Sequence, residues 1–255
     1  MRAAVSIGLA GSTDASVVRS LAPRIERLGF SALWLNDIPG GDSLAGLRVA
    51  AGVTGGLGLA TGVIPLDRRP AETLDLAGLP VERTTIGVGS GRVAHPLALV
   101  ERGIEALRAV SEAAIVVGAL GPRMRRLAAE QADGVLFNWL TPAAAAEATS
   151  ELRAAAGARS GPGPRSVLYV RTITDADAQP MLSREAERYE AVPAYAANFD
   201  RLGMRALDAT LADGEHLIDF DVVDEVVLRA ITPTGSLAEL EAFVERTADW
   251  LAHAE

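Results

Sequence analysis

The chain has no cysteine, and all of its 24 basic residues other than histidine are arginine. Without cysteine, disulfides, thiolate catalysis and cysteine-based metal sites are excluded. The missing lysine reads as GC-rich codon bias rather than chemistry. Aromatic residues make up only 4%, so the interior has to be built mostly of Ala, Leu and Val. Positive charge is also in short supply. A net charge of −9 and a pI of about 5.0 argue against nucleic acid or an anionic membrane as partner. Long apolar runs are absent too. The opening segment, Met1 to Leu9, carries one charge and is too short to span a membrane. Its composition would suit a signal peptide, but Gly8 and Asp14 fit a first strand and a helix cap better. A soluble cytoplasmic protein is expected.

What is present is a hydrophobic content of 49% over 255 residues, with mean hydropathy of +0.21. That is enough for one large domain spanning residues 1–255. The chain is organised around Leu57 to Arg92. Leu59 to Leu66 is an apolar, β-branched run that reads as a strand buried on both faces. Arg68-Arg69-Pro70 breaks it, and an amphipathic turn or short helix over Ala71 to Leu79 follows. A second buried strand, Thr85 to Val88, runs into Gly89-Ser90-Gly91-Arg92. Glycines at the carboxyl ends of both strands would let backbone approach a flat ligand or take positive φ. A cofactor is expected there.

Around this unit the same alternation continues. Val5 to Ala10 and Leu33 to Leu35 read as strands one and two, with a helix from the Asp14 cap to Gly29 between them. A helix over Ser43 to Val53 leads into the central stretch. After it come a helix over Pro96 to Ser111, strand five at Ala114 to Val117, a helix from Pro122 to Gln131 and strand six at Gly134 to Phe137. An Ala-rich helix from the Thr141-Pro142 cap to Ala156, the Gly157 to Pro164 loop and strand seven at Ser166 to Thr172 follow. A mostly helical excursion over Ala176 to Leu211, strand eight at Val226 to Ile231 and a final helix over Leu237 to His253 complete the chain. Eight strands alternating with eight helical stretches predict a (β/α)8 TIM barrel, with a doubly wound open sheet as the rival.

Several positions stand out for chemistry. Asp37 closes strand two, where barrel enzymes keep working residues. Its alternative is a loop carboxylate capping the next helix. Gly118-Ala119-Leu120-Gly121 before Pro122 suits a cradle of free N–H groups at a helix start for a phosphate or ribityl chain, with Arg123 able to add a charge-assisted contact; an ordinary turn between strand and helix is the alternative. Phe137 and Asn138, ending strand six, could wall the pocket and offer an amide, and Trp139 could do so or pack in the core or a dimer contact. Arg171 and Arg229 end strands seven and eight and suit an anionic tail or an anionic substrate, with a salt bridge as the alternative. Gly87 to Gly91 lacks the last spaced glycine and the acidic partner of a dinucleotide fingerprint. His216 and His253 receive no role. No metal-ligand spacing and no Ser/His/Asp set is recognisable.

Gly29-Phe30-Ser31-Ala32-Leu33-Trp34-Leu35-Asn36-Asp37, Ala60-Thr61-Gly62-Val63 with Arg69-Pro70, Ile86 to Gly91, and Gly118 to Arg123 followed by Ala132-Asp133-Gly134 together resemble the bacterial luciferase-like monooxygenases and their deazaflavin-dependent relatives. Val192-Pro193-Ala194-Tyr195 is similar to a segment of the deazaflavin branch. The resemblance covers nearly the whole chain and implies a luciferase-like barrel, commonly a homodimer, that holds FMN or coenzyme F-420 in its mouth. It implies that Asp37 meets the polar edge of the ring and that a cis peptide between Gly62 and Val63, flanked by Thr61, backs the ring. An ordinary β-bulge at Gly62 is the alternative. It further implies that Gly89, Ser90, Gly91 and His95 contact the cofactor. Asp37 and His95 are the catalytic candidates by their place near the ring. The chain departs from the family in a shorter segment before Thr85, a trimmed lid after strand four, and Ile38 where a His is common. The implied activity is coenzyme F-420-dependent hydride transfer to or from a small organic substrate. FMN-dependent monooxygenation, or flavin binding without turnover, are the alternatives.

Overall fold

The computed structural model describes residues 1–157 and 162–254. The elements are β1 (Ala4–Ala10), α1 (Ala15–Arg27), β2 (Ala32–Asn36), α2 (Ser43–Ala51), β3 (Gly58–Thr61), β4 (Ile64–Pro65), β5 (Thr84–Gly89) and α3 (Pro96–Val110). Then come β6 (Ala114–Gly118), α4 (Pro122–Gln131), β7 (Gly134–Asn138), α5 (Pro142–Ala156), β8 (Arg165–Thr172), α6 (Gln179–Glu190), α7 (Pro193–Leu202), β9 (Thr210–Leu211), β10 (Glu225–Ala230) and α8 (Leu237–Ala254). Neighbouring strands run β10-β1-β2-β3-β5-β6-β7-β8, all parallel, and β8 pairs back onto β10 to close the barrel. An eight-stranded parallel barrel with helices outside is the TIM barrel; the open sheet is excluded by that closing pair.

The caps expected from sequence form. Asp14 accepts from the Ser16 N–H at the start of α1, and Thr141 from the Ala144 N–H at the start of α5. One expectation needs correction. The apolar run expected as one strand over Leu59 to Leu66 is two, β3 and β4, separated at Gly62 and Val63, whose peptide is cis, as the family resemblance implies. Of the two alternatives for Ala71 to Leu79, a turn or a short helix, the turn is formed, with a 3-10 segment at Ala71–Thr73 and another just beyond the stretch at Val81–Arg83. Pro70 and Pro80 bracket it, Gly78 takes φ +78°, and the apolar spacing never reaches a helical period. Leu66, Ala71 and Leu79 nonetheless stay buried, so turns cover the barrel wall where a helix would. Arg83 ties this stretch to the end of α2 by donating to the Leu57 and Thr54 carbonyls at 2.7 and 2.9 Å. Of the expected Gly157–Pro164 loop, residues 158–161 lie outside the described residues.

Alternation along the strands divides the core in two. Val226 and Leu228 of β10 and Leu168 and Val170 of β8 face the helix layer. Val227, Val167, Tyr169, Leu136, Val116, Ala60 and Trp34 fill the barrel interior. The same parity puts Glu225 and Arg165 inside the barrel at the amino end of the strands, and Arg229 and Arg171 inside at the carboxyl end. At the floor the Glu225 carboxylate accepts from Ser6 Oγ at 2.5 Å, Trp34 Nε1 at 2.7 Å and Arg165 at 2.7 Å. A buried carboxylate needs such donors. Above it Trp34 and Tyr169 meet edge to face with centroids 6.2 Å apart. Burying each such ring is worth about 1.5–3 kcal/mol, and the pair plugs the barrel below its mouth.

Candidate active site at the carboxyl ends of the strands

The glycines that crowd these strand ends are mostly filled from within the protein. A Cβ on Gly87 would lie 1.9 Å from the Thr61 carbonyl oxygen, and one on Gly89 would lie 2.9 Å from Val63 Cγ2. Gly118 would meet Val63 Cγ1 at 3.1 Å, and Gly91, at φ +66°, would meet the Asp67 carboxylate at 1.8 Å. The half-exposed Val63 side chain therefore lies across the mouth, seated on Gly89 and Gly118. The expectation that bare backbone here leaves room for a flat ligand is corrected: the space is taken by Val63, Thr61 and Asp67. What a ligand meets at this point is the Val63 isopropyl group.

Thr61 is fully buried, and its Oγ1 donates to the Gly87 carbonyl at 3.0 Å while accepting from the Gly87 N–H at 2.8 Å. Its hydroxyl is tied to the next strand. Gly62 sits on the Tyr169 and Trp34 rings, with 2.9 and 3.1 Å left for a Cβ. Ser90 is half-buried and donates to the Gly91 carbonyl at 3.3 Å. Only residues 90–95 separate β5 from α3, and His95 stands exposed at the N-cap of α3 without capping it.

Asp37 has a side chain only 2% exposed. It accepts from Ser43 Oγ at 2.9 Å at the start of α2, pairs with Arg69, and lies 3.9 Å from Arg68. The carboxylate thus bonds the first residue of α2 and two arginines, while Asp42 caps that helix; it is buried rather than the solvated, capping carboxylate weighed as the alternative to ring contact.

At the other side of the mouth Phe137 is corrected. It is fully buried among the outer core, with the Arg125 guanidinium 5.2 Å over its ring, because its place in β7 points it at the helix layer. Asn138, its neighbour, does face the mouth. Asn138 Nδ2 donates to Tyr195 Oη at 3.0 Å, and its Oδ1 accepts from Arg171. Trp139, at φ +57°, is fully buried with Phe199 and Ala186 under α6 and α7. Arg171 is stacked between Trp139 and Tyr189 at 4.1 and 4.9 Å and bonds Glu185 at 3.0 Å. The salt-bridge alternative for Arg171 is the one formed. Burial raises the Glu185 carboxyl, but Arg171 and Arg229 outweigh it and hold the group below its ordinary value. Burial pushes the Tyr195 phenol up to about 12.

The start of α4 is open. Ala119 is in the core with its N–H donated to the Leu136 carbonyl at 3.3 Å, whereas a Cβ on Gly121 would meet nothing within 4 Å. No side chain caps α4, and Leu120 and Gly121 are half-buried beside an exposed Arg123. The first-turn N–H groups of Arg123 and Met124 precede any intrahelical acceptor. A groove of about 240 Å³ between α4 and α5, lined by Arg123, Arg125, Glu151 and Leu152, lies on the outer helices rather than over the strand ends. The chemistry is better served by the mouth, where inward side chains from several strands converge.

Sequence reading passed over Tyr169, Glu185 and Glu225. The signal for Glu225 was there: it stands four residues before Arg229 at the other end of an apolar run, and the two share the inward parity of their strand. Glu185 sits on α6, and nothing in its own spacing marks it.

The closed parallel barrel with its strand-end mouth is a TIM barrel, the fold whose enzymes place their active sites at the carboxyl ends of the strands. The model of the luciferase-like monooxygenase family matches residues 100–249, more than half of the chain, and the protein belongs to that family. Among solved structures the chain is similar to the coenzyme F-420-dependent tetrahydromethanopterin reductase of Methanopyrus kandleri, at a TM-score of 0.70 and 17% identity over 100% of both chains. A monooxygenase from Streptomyces bottropensis gives 0.73 and 18% identity over 98% of this chain and 99% of that one. The oxygenating constituent of 3,6-diketocamphane monooxygenase from Pseudomonas putida, in complex with FMN, gives 0.66 and 13% over 96% and 98%. These identities establish a shared fold. No curated protein matches the sequence. Among the described residues no helix is long and apolar enough to cross a membrane, and no cluster of His, Asp and Glu could hold a metal.

Proposed function

We propose that the protein is a coenzyme F-420-dependent oxidoreductase that transfers hydride to or from a small organic substrate at the barrel mouth. The whole chain acts as one catalytic unit, as a cytoplasmic homodimer. The observation that carries the reading is the mouth itself: an apolar Val63 seated on Gly89 and Gly118, beside an uncapped helix start at Gly121, in a chain of the luciferase-like family. A flat ring needs an apolar face to rest on, and a phosphorylated tail needs free N–H groups at a dipole's positive end. Both fit. When bound, the cofactor supplies the hydride chemistry.

The protein's own residues have the other tasks. Val63 supports one face of the ring, with Gly62 letting the chain lie flat on Tyr169 below. The N–H groups of Arg123 and Met124 and the Arg123 guanidinium hold the phosphorylated tail, with Gly118, Ala119, Leu120 and Gly121 shaping the approach. Gly89 and Gly91 act through the side chains seated on them, Val63 and Asp67, and Ser90 and His95 border the ring from the segment between β5 and α3. Asn138, fixed by Tyr195 and Arg171, borders it from β7, while α6 and α7 exclude water on that side. Asp37 acts by holding Arg68 and Arg69 at the edge of the mouth rather than by moving a proton. FMN-dependent monooxygenation is the second reading, favoured by the exposed 90–95 segment, which leaves the ring accessible to dioxygen. Equilibrium dialysis against coenzyme F-420 and FMN, followed by anaerobic absorption spectra of the loaded protein with a panel of alcohols and carbonyl compounds, tests the choice. Bleaching or recovery of coenzyme F-420 absorption by a panel member supports hydride transfer. Retention of FMN alone would reject it.

A further inference from the structure

Two polar groups inside the mouth have no use in the fold. Tyr169 is 4% exposed, and its Oη is buried without a hydrogen-bond partner. The hydroxyl reaches across the barrel from β8 toward β1, where it would come within 3.1 Å of a Cβ on Gly8. Arg229 pairs in register with both Gly8 and Arg171. It is half-buried, and among the described residues it makes no ion pair; its one partner is the carbonyl of the adjacent Ala230. Its charge acts on the Tyr169 phenol more strongly than that of Arg171. Burial nevertheless holds the phenol above its ordinary value, so Tyr169 stays a donor. Arg171, by contrast, is engaged by Glu185, Asn138, Trp139 and Tyr189. The mouth of an acidic protein thus keeps a phenol O–H with no acceptor and, beside it, a cation whose only hydrogen bond among the described residues is to the Ala230 carbonyl and which acts on the Glu185 carboxylate without an ion pair to it.

Leaving a buried donor unpaired is costly, and so is holding a guanidinium at a low-dielectric mouth. We propose that Arg229 and Tyr169 form a receptor for an anionic oxygen, and that the substrate of this protein is a small carboxylate. The substrate's carboxylate accepts from the Arg229 guanidinium and the Tyr169 hydroxyl together, a charge-assisted pair that a neutral isostere cannot reproduce. The assignment rests on the oxidoreductase reading above only for the word substrate; the receptor itself rests on the two side chains. The same chemistry could be met by an oxygen on the cofactor ring, and the test separates the two sources.

Propionate and its neutral amide, propionamide, are titrated into the protein, with and without saturating coenzyme F-420 or FMN, by calorimetry. The acid is expected to bind about tenfold or more tightly than the amide, since donors built to pair a charged oxygen reject the analogue. Arg229→Leu removes that preference, Tyr169→Phe reduces propionate affinity severalfold, and Arg229→Lys restores part of it. Cofactor affinity of all three variants stays within about twofold of wild type. Equal binding of acid and amide by the unaltered protein overturns the proposal without any variant having to fold. So does a preference that survives Arg229→Leu, or a loss of cofactor binding in step with propionate, which gives the oxygen to the ring. If the unaltered protein binds neither cofactor, the oxidoreductase reading fails while the acid–amide contrast still decides the receptor.

Discussion

Replacing Gly87 by alanine isolates the packing that shapes the mouth. Its Cβ would stand 1.9 Å from the Thr61 carbonyl oxygen, about 1.5 Å inside the 3.4 Å at which ordinary contact begins. The obstacle is backbone, so no rotamer change relieves it. β3 and β5 must separate, and the paired bonds between Thr61 Oγ1 and Gly87, at 2.8 and 3.0 Å, go with them. Overpacking costs about 1–3 kcal/mol, and two buried hydrogen bonds add about 1 kcal/mol each. The expected loss is about 3–5 kcal/mol, a large part of the 5–15 kcal/mol or so that holds a typical domain. Gly89→Ala meets only the end of Val63, at 2.9 Å, and is expected to cost about 1 kcal/mol. Gly121→Ala meets open space at φ −101° and should leave stability within about 0.5 kcal/mol of wild type. Urea unfolding followed by tryptophan fluorescence ranks the three, with Trp34 inside the barrel as reporter and the slope m held as the check on compactness. A Gly87→Ala protein within 1 kcal/mol or so of wild type would refute the packing argument.

Three further expectations concern charges. Glu225→Ala strips acceptors from Trp34 Nε1 and Ser6 Oγ, each buried and costing about 1–3 kcal/mol when unpaired, so its unfolding midpoint should fall well below that of Glu225→Gln. Arg171→Lys should not rescue Arg171→Met: the guanidinium stacks at 4.1 Å on Trp139 while bonding Glu185, which an ammonium cannot copy, and both variants should melt several degrees low. Glu190 accepts from Arg205 at 2.5 and 2.9 Å and from the Ala206 N–H at 3.0 Å; the Arg205 bond chiefly, then the Ala206 bond, lowers its carboxyl to about 2 from 4.5. A depressed folded value means that the stabilisation is present above pH 4.5 and is lost as pH falls toward 2, so Glu190→Gln should flatten the stability–pH curve in that window. An unchanged slope would remove this contact from the account.

The barrel was legible because its strands are buried on both faces and its helices announce their starts: Asp14, Thr141 and Pro122 all stand where helices begin. The break between β3 and β4 was legible only at Gly62, where a cis peptide or a bulge is expected and the peptide is cis; the apolar character of Leu59 to Leu66 by itself reads as one strand. The glycines were visible as residues but not as spaces. Whether a missing Cβ admits a ligand or a neighbouring side chain depends on Val63, Thr61 and Asp67, which lie far from these glycines in sequence. Phe137 and Asn138 show how one step of strand parity separates core from mouth. Ion pairing hid Asp37 and Arg171 in the same way: their partners Arg69 and Glu185 arrive from loops and a helix whose packing no local pattern specifies.

The central claim is that the strand-end mouth holds a redox cofactor against Val63. Titration of the protein with coenzyme F-420, read by the tryptophan fluorescence of Trp34 and Trp139, tests it most directly when run beside Val63→Glu, which puts a carboxylate where the ring would rest. The account predicts micromolar binding by the unaltered protein and its loss in the variant, with the urea midpoint of Val63→Glu showing that the barrel still folds. Equal binding by both proteins, or no binding of coenzyme F-420 or FMN by the unaltered one, would contradict it.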